Sequence, residues 1–71
     1  MTTNQLELLA NRIFSDKFRV HASARCGNDT TITLVDKGSG AANSFTISSE
    51  DERTQEQIFV DFLYMRDELT R

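Results

Sequence analysis

The residues best equipped for chemistry lie in "SSEDERTQEQIF", where Glu50, Asp51, Glu52 and Glu56 surround Arg53. Outside it, the groups with reactive potential are His21 and Cys26, the only histidine and the only cysteine. A zinc site would need both, with carboxylates at ligand spacing, and that spacing is missing. General acid–base work needs groups with shifted pKa values held in a cleft. "DKGSG", with Asp36, Lys37, Gly38 and Gly40, suggests a phosphate loop, but it fits neither a P-loop nor a dinucleotide fingerprint. The expectation is a chain that is not an enzyme and takes no metal or cofactor. His21 then reads as an exposed strand residue. Cys26 reads as a turn residue, since no basic cluster stands by to lower its pKa.

What remains for the carboxylates is backbone and surface work. Ser49-Glu50-Asp51-Glu52 has the S-x-x-E form of a capping box. The Ser49 hydroxyl would accept from the Glu52 N–H, and the Glu52 carboxylate from the Ser49 N–H. Acids in a first helical turn also suit the positive end of the helix dipole. Charge is unevenly placed. Residues 1–49 carry four acids and five bases, whereas residues 50–71 carry seven acids and three bases. The overall charge of −3 therefore belongs to the C-terminal segment.

The elements that must position these groups follow from periodicity. Leu6, Leu9, Ala10 and Ile13 recur at helical spacing, with Phe14 at the edge, and predict a helix over residues 3–15 capped by Thr3 or Asn4. Its other side shows Gln5, Leu8 and Arg12. "KFRVHASAR" alternates, with Phe18, Val20, Ala22 and Ala24 inward and Arg19, His21, Ser23 and Arg25 outward. "CGND" is a turn. "TTITLVD" is a second strand, with Ile32 and Leu34 inward. "KGSGAAN" is a loop, and "SFTIS" is a third strand with Phe45 and Ile47 inward. A last helix is expected over residues 50–69, with Ile58, Phe59, Phe62, Leu63, Met65 and Leu69 as its buried stripe.

The expected fold is α+β in the order α-β-β-β-α. Three strands form an antiparallel meander with both helices on one face. The other face is left to solvent, with Arg19, His21, Ser23, Arg25, Thr31, Thr33, Ser44, Thr46 and Ser48 on it. Seventy-one residues make one domain, residues 1–71. A core of this size supplies roughly 3–5 kcal/mol net, so partner binding or dimerisation matters for stability. No signal peptide or membrane span is expected, and a lone cysteine points to a cytoplasmic setting.

The element order is similar to that of the double-stranded-RNA-binding domain. That module reads phosphates with a lysine-rich start to its second helix. Here the same place holds Glu50, Asp51, Glu52 and Glu56, which would repel a phosphate backbone. A second route to nucleic acid is the open sheet face, where Arg19, His21, Arg25 and Lys37 could meet phosphates. No exposed aromatic is expected there to stack a base.

From about residue 3 to 66 the chain also resembles small acidic anti-CRISPR proteins of phages, through "VDKGSG", "FTIS" and the acidic "SEDE" leading into "IFVDFL". In that family, carboxylates imitate DNA and occupy the arginines that read the PAM. The resemblance implies contacts through Glu50, Asp51, Glu52, Glu56 and Asp36, with Arg53 and Arg66 diluting the charge. Independently of it, a helical wheel sets Val60, Tyr64 and Asp67 opposite the buried stripe, near Gln57 and Asp61. An exposed Val–Tyr pair among acids has the make-up of an interface centre with a polar rim. The alternatives are scattered surface apolarity or a homodimer contact.

The leading expectation is a non-catalytic interaction protein. In its most concrete form it is a phage or prophage inhibitor in the cytoplasm of a bacterial host, binding a CRISPR effector or another nucleic-acid-handling complex. Glu50, Asp51, Glu52, Glu56, Asp61, Tyr64 and Asp67 would carry the contact. The other expectation is a nucleic-acid-binding module using Arg19, His21, Arg25 and Lys37.

Overall fold

A computed structural model describes residues 2–24 and 29–71. The elements run α1 (Thr3–Phe14), β1 (Phe18–Ala24), β2 (Thr30–Asp36), β3 (Ala42–Ile47) and α2 (Gln55–Leu69). The α-β-β-β-α order is as the alternating and helical patterns require. Arg25 and the "CGN" of the expected turn lie outside the described residues. The strands form one antiparallel sheet in the order β1-β2-β3. Phe18 faces Asp36 and Ala24 faces Thr30, while Thr30 faces Ile47 and Val35 faces Ala42.

That register sorts the side chains by parity. Phe18, Ile32, Leu34 and Ile47 are buried under the helices, with Val20, Ala22 and Phe45 packed beside them. Ala24, expected inward, is exposed at the end of its strand. On the opposite face the Thr31 and Thr46 hydroxyls bond at 3.2 Å, and those of Thr33 and Ser44 at 3.0 Å. Thr30 faces the helices and is buried, its hydroxyl 2.8 Å from that of Thr3 at the start of α1.

The helices enter the core unequally. α1 buries Leu6, Leu9, Ala10, Ile13 and Phe14, whereas α2 buries only Ile58 and Phe62, with Phe59, Met65 and Leu69 partly covered. Four phenylalanines link the layers in a chain. Phe18 meets Phe14 edge-on with ring centres 6.0 Å apart, Phe14 meets Phe62 at 5.7 Å, and Phe62 meets Phe45 at 5.6 Å. Leu63, expected in the buried stripe, is instead 41% exposed. Each helical residue turns by about 100°, so one step past Phe62 points away from the stripe set by Ile58, Phe62, Met65 and Leu69.

Both helices begin with the same device, and α1 starts at Thr3 as the pattern placed it, though its cap is one residue earlier. Thr2, not Thr3 or Asn4, caps α1. Its hydroxyl accepts from Gln5 N–H at 3.2 Å, and the Gln5 side-chain oxygen accepts from Thr2 N–H at 2.8 Å. Thr54 and Gln57 repeat the arrangement at 3.2 and 2.9 Å, so α2 starts at Gln55 rather than at residue 50. The Ser49–Glu52 capping box does not form. Residues 48–53 make other local bonds instead: Asp51 N–H donates to the Ser48 carbonyl at 3.1 Å, and Glu50 N–H to the Ser48 hydroxyl at 3.1 Å. Side-chain bonds of this kind give the backbone an alternative to helix.

The β2–β3 turn is held by Asp36. Its carboxylate accepts from Gly38 N–H at 2.7 Å and Ser39 N–H at 3.0 Å. The bond from Ser39, then that from Gly38, keeps its carboxyl below the usual range. Gly40 closes the turn at φ 77°, a left-handed conformation that glycine takes without strain.

Candidate functional site

The seven residues expected to carry a contact fall into two groups. Glu50, Asp51 and Glu52 lie on the connection between β3 and α2. Glu56 is in the first turn of α2, and Asp61, Tyr64 and Asp67 follow along its exposed side.

Arg53 divides the carboxylates into engaged and unengaged ones. Its guanidinium grips both oxygens of Asp51, with Nε 3.0 Å from each and Nη2 2.7 Å from Oδ2. Its Nη1 reaches Asp61 at 2.5 Å, and its backbone N–H donates to Asp51 at 2.9 Å. One arginine thus pairs with two of the acids, offsetting one of their two charges, and ties the connection to the second turn of α2. The side-chain bond from Arg53 holds the Asp51 carboxyl down at about 2, and the bonds from Asp51 and then Asp61 push the guanidinium pKa upward. Glu50, Glu52, Glu56 and Asp67 are exposed and make no ion pair among the described residues. Asp36 is occupied with its own turn.

Asp51 makes the stability of the fold depend on pH. Its folded pKa lies below the unfolded value, so the stability it contributes is present above about pH 4 and is lost as pH falls through about 2. An NMR titration of the Asp51 carboxyl should give a midpoint near 2 that returns towards the model-peptide value of 3.8 in Arg53→Met. A midpoint near the ordinary value in the unaltered chain would mean the clamp does not persist in solution.

The apolar part of the site is larger than the Val–Tyr pair. Val60 is 46% exposed and Tyr64 69%, and Leu63 joins them on the outer side of α2. Val60 sits where three shallow depressions meet. One is an open groove of about 670 Å³ between the helices, lined by Leu9, Arg12, Glu56 and Phe59 among others. The second holds Thr54, Glu56, Gln57 and Asp61. The third runs toward Lys17, Leu63, Tyr64, Arg66 and Asp67. Exposed Leu8 extends the apolar surface on α1.

The rim around it has both signs. Glu56 stands near Arg12, and Asp67 near Lys17 and near Arg66, which itself pairs with Asp16 at 2.6 Å. The unengaged negative charge is therefore densest at Glu50, Glu52 and Glu56. Arg12 and Lys17 as rim residues were not legible from charge order, because they reach the groove from α1 and from the segment after it.

The residues of the nucleic-acid alternative separate. Arg19 and His21 are exposed on the open sheet face. The Lys37 amine donates to the Ser15 carbonyl at 2.6 Å, which ties it to the end of α1. Arg25 lies outside the described residues.

The depressions are open rather than cleft-like. The groups whose pKa values shift, Asp36, Asp51 and Arg53, owe the shift to hydrogen bonds that hold turns. Among the described residues no three His, Cys, Asp or Glu side chains come together as a metal site, and no helix is long and apolar enough to cross a membrane. Comparison with known protein families, curated proteins and solved structures gave no match.

Proposed function

We propose that this chain is a non-catalytic protein-binding domain whose contact surface is the outer side of α2 together with the connection before it. The observation that carries the reading is the exposed Val60–Leu63–Tyr64 surface bordered by Glu56, Asp61 and Asp67. An apolar centre with a charged rim is the usual anatomy of an interface. Glu50, Glu52 and Glu56 add an unengaged anionic end that would steer the domain toward a basic groove. Such grooves belong to proteins that handle nucleic acid. The most concrete form is thus a phage-encoded inhibitor, similar in action to anti-CRISPR proteins, working in the bacterial cytoplasm by occupying a nucleic-acid site. Asp51 and Asp61 act in this reading by shaping the surface, through Arg53, rather than by offering charge.

The test is capture of a partner from bacterial lysate at low salt, followed by competition. Duplex DNA should release the partner, and replacing Glu50, Glu52 and Glu56 together with glutamine should weaken capture by tenfold or more, a loss of about 1.4 kcal/mol. Capture that survives both the competitor and the triple change would refute the nucleic-acid-site reading. Retention of this chain itself on DNA at low salt would favour the sheet-face alternative.

A further inference from the structure

The outer edge of the sheet carries a second surface, distinct from the acidic one. β3 is an edge strand, and the direction of its peptide groups can be read from one bond. Asp36 N–H donates to the Ala41 carbonyl at 2.8 Å and the Asp36 carbonyl accepts from Gly40 N–H at 2.9 Å, so a hydrogen-bonded pair closes the ladder at Asp36, with Gly40 and Ala41 opposite it. Such pairs alternate along an antiparallel ladder. Asn43, Phe45 and Ile47 therefore turn their peptide groups toward Leu34, Ile32 and Thr30 of β2. Ala42, Ser44 and Thr46 turn theirs outward. The Thr33–Ser44 and Thr31–Thr46 hydroxyl bonds agree, since they fall on the pairs whose side chains approach most closely.

Edge strands are normally guarded by charge, proline or a covering element. β1, the other edge, carries exposed Arg19 and His21. β3 reads "ANSFTI", with neither charge nor proline, and is exposed along Ala42, Asn43, Ser44 and Thr46. Among the described residues nothing covers its outward peptide groups.

We propose that this edge pairs with β3 of a second copy of the chain, antiparallel about a two-fold axis at Ser44, to make one continuous sheet across two subunits. The strand suits itself. Ser44 meets Ser44, and Ala42 meets Thr46, with about six backbone hydrogen bonds from outward groups that match one another in spacing. On the helix side Asn43 meets Phe45, whose ring is only partly buried in one copy. No charged pair collides in the strand, whereas β1 against β1 would bring Arg19 and His21 together. The ends also fit. The chain leaves β3 toward Glu50 and Glu52 and enters it from Lys37, whose N–H is bonded to the Lys17 carbonyl. Antiparallel docking sets the Glu50–Glu52 ends of the two copies at opposite ends of the paired strands, whereas parallel docking would bring the two acidic ends together.

The test is light scattering and sedimentation of the full chain from micromolar to millimolar concentration. The mass should rise toward twice 8.1 kDa. Ser44→Lys places two ammonium groups across the axis and should hold the mass at one chain, and mixing it with Ser44→Glu should restore the pair. Amide exchange on the unaltered chain should show protection of Ala42, Ser44 and Thr46 increasing with concentration, which keeps the test open should Ser44→Lys fail to fold. A chain that stays monomeric throughout, or a dimer that Ser44→Lys leaves intact, would overturn the proposal. A dimer lost in Tyr64→Ala but kept in Ser44→Lys would place the contact on α2 and overturn it equally. None of these outcomes depends on partner capture through Glu50, Glu52 and Glu56.

Discussion

Phe62→Ala is expected to leave the chain largely unfolded at room temperature. The Phe62 ring is fully buried, and it touches both Phe14 of α1 and Phe45 of β3. Removing a buried phenylalanine ring costs about 3–5 kcal/mol, part in lost transfer free energy and part in the cavity left behind. A domain of this size holds roughly that much in total. The gap would also lie where α2 has few other attachments, with Ile58 as its second wholly buried side chain. Circular dichroism with urea titration should show loss of the cooperative transition, or a midpoint near zero denaturant. Phe62→Leu, which keeps most of the volume, should retain the fold with a lowered midpoint. A Phe62→Ala protein that unfolds within about 1 kcal/mol of the original would mean that α2 is not held by this side chain.

Tyr64→Ala is expected to leave the fold intact and remove most of the affinity for a partner. Tyr64 is exposed, and exposed substitutions usually change stability by no more than about 0.5 kcal/mol. Its ring stands beside Leu63 and Val60 with Asp67 at the border, so a partner that covers this side desolvates the ring at the centre of the contact. Central tyrosines of this kind carry about 2 kcal/mol or more when truncated, roughly a thirtyfold loss of affinity. Titration calorimetry against the captured partner, with thermal melts of both proteins, separates the two effects. Unchanged affinity in a well-folded Tyr64→Ala would remove the outer side of α2 from the interface.

Much of the fold was legible in the sequence because strands and helices write different periods. The two-residue alternation of "FRVHASA" and "TTITLVD" assigns faces that the register reproduces, down to Ile32 and Leu34 inside and Thr31 and Thr33 outside. The start of α2 was not legible, because the sequence holds two overlapping cap signatures. Ser49-x-x-Glu52 and Thr54-x-x-Gln57 both satisfy the pattern. What decides between them is Asp51 taking the Arg53 backbone and guanidinium bonds, an arrangement that exists only once the chain has turned. The same turn brings Arg53 to Asp61, eight residues on, so a linear count of charge overstates the acidity of the surface. Lys37 was misplaced on the open sheet for a similar reason: its amine finds the Ser15 carbonyl across a link that no local pattern encodes.

The unequal anchoring of the two helices has a consequence for how the molecule breathes. α1 is fastened by five buried side chains and α2 by two. Local opening costs least where the fewest apolar contacts must be broken, so α2 is the segment that lifts away first, ahead of global unfolding. The surface proposed as the contact therefore rides on the least secured part of the fold. A partner that gripped it would close the lowest-cost route to exposing the core, and by mass action its concentration would become a term in the stability of the whole domain.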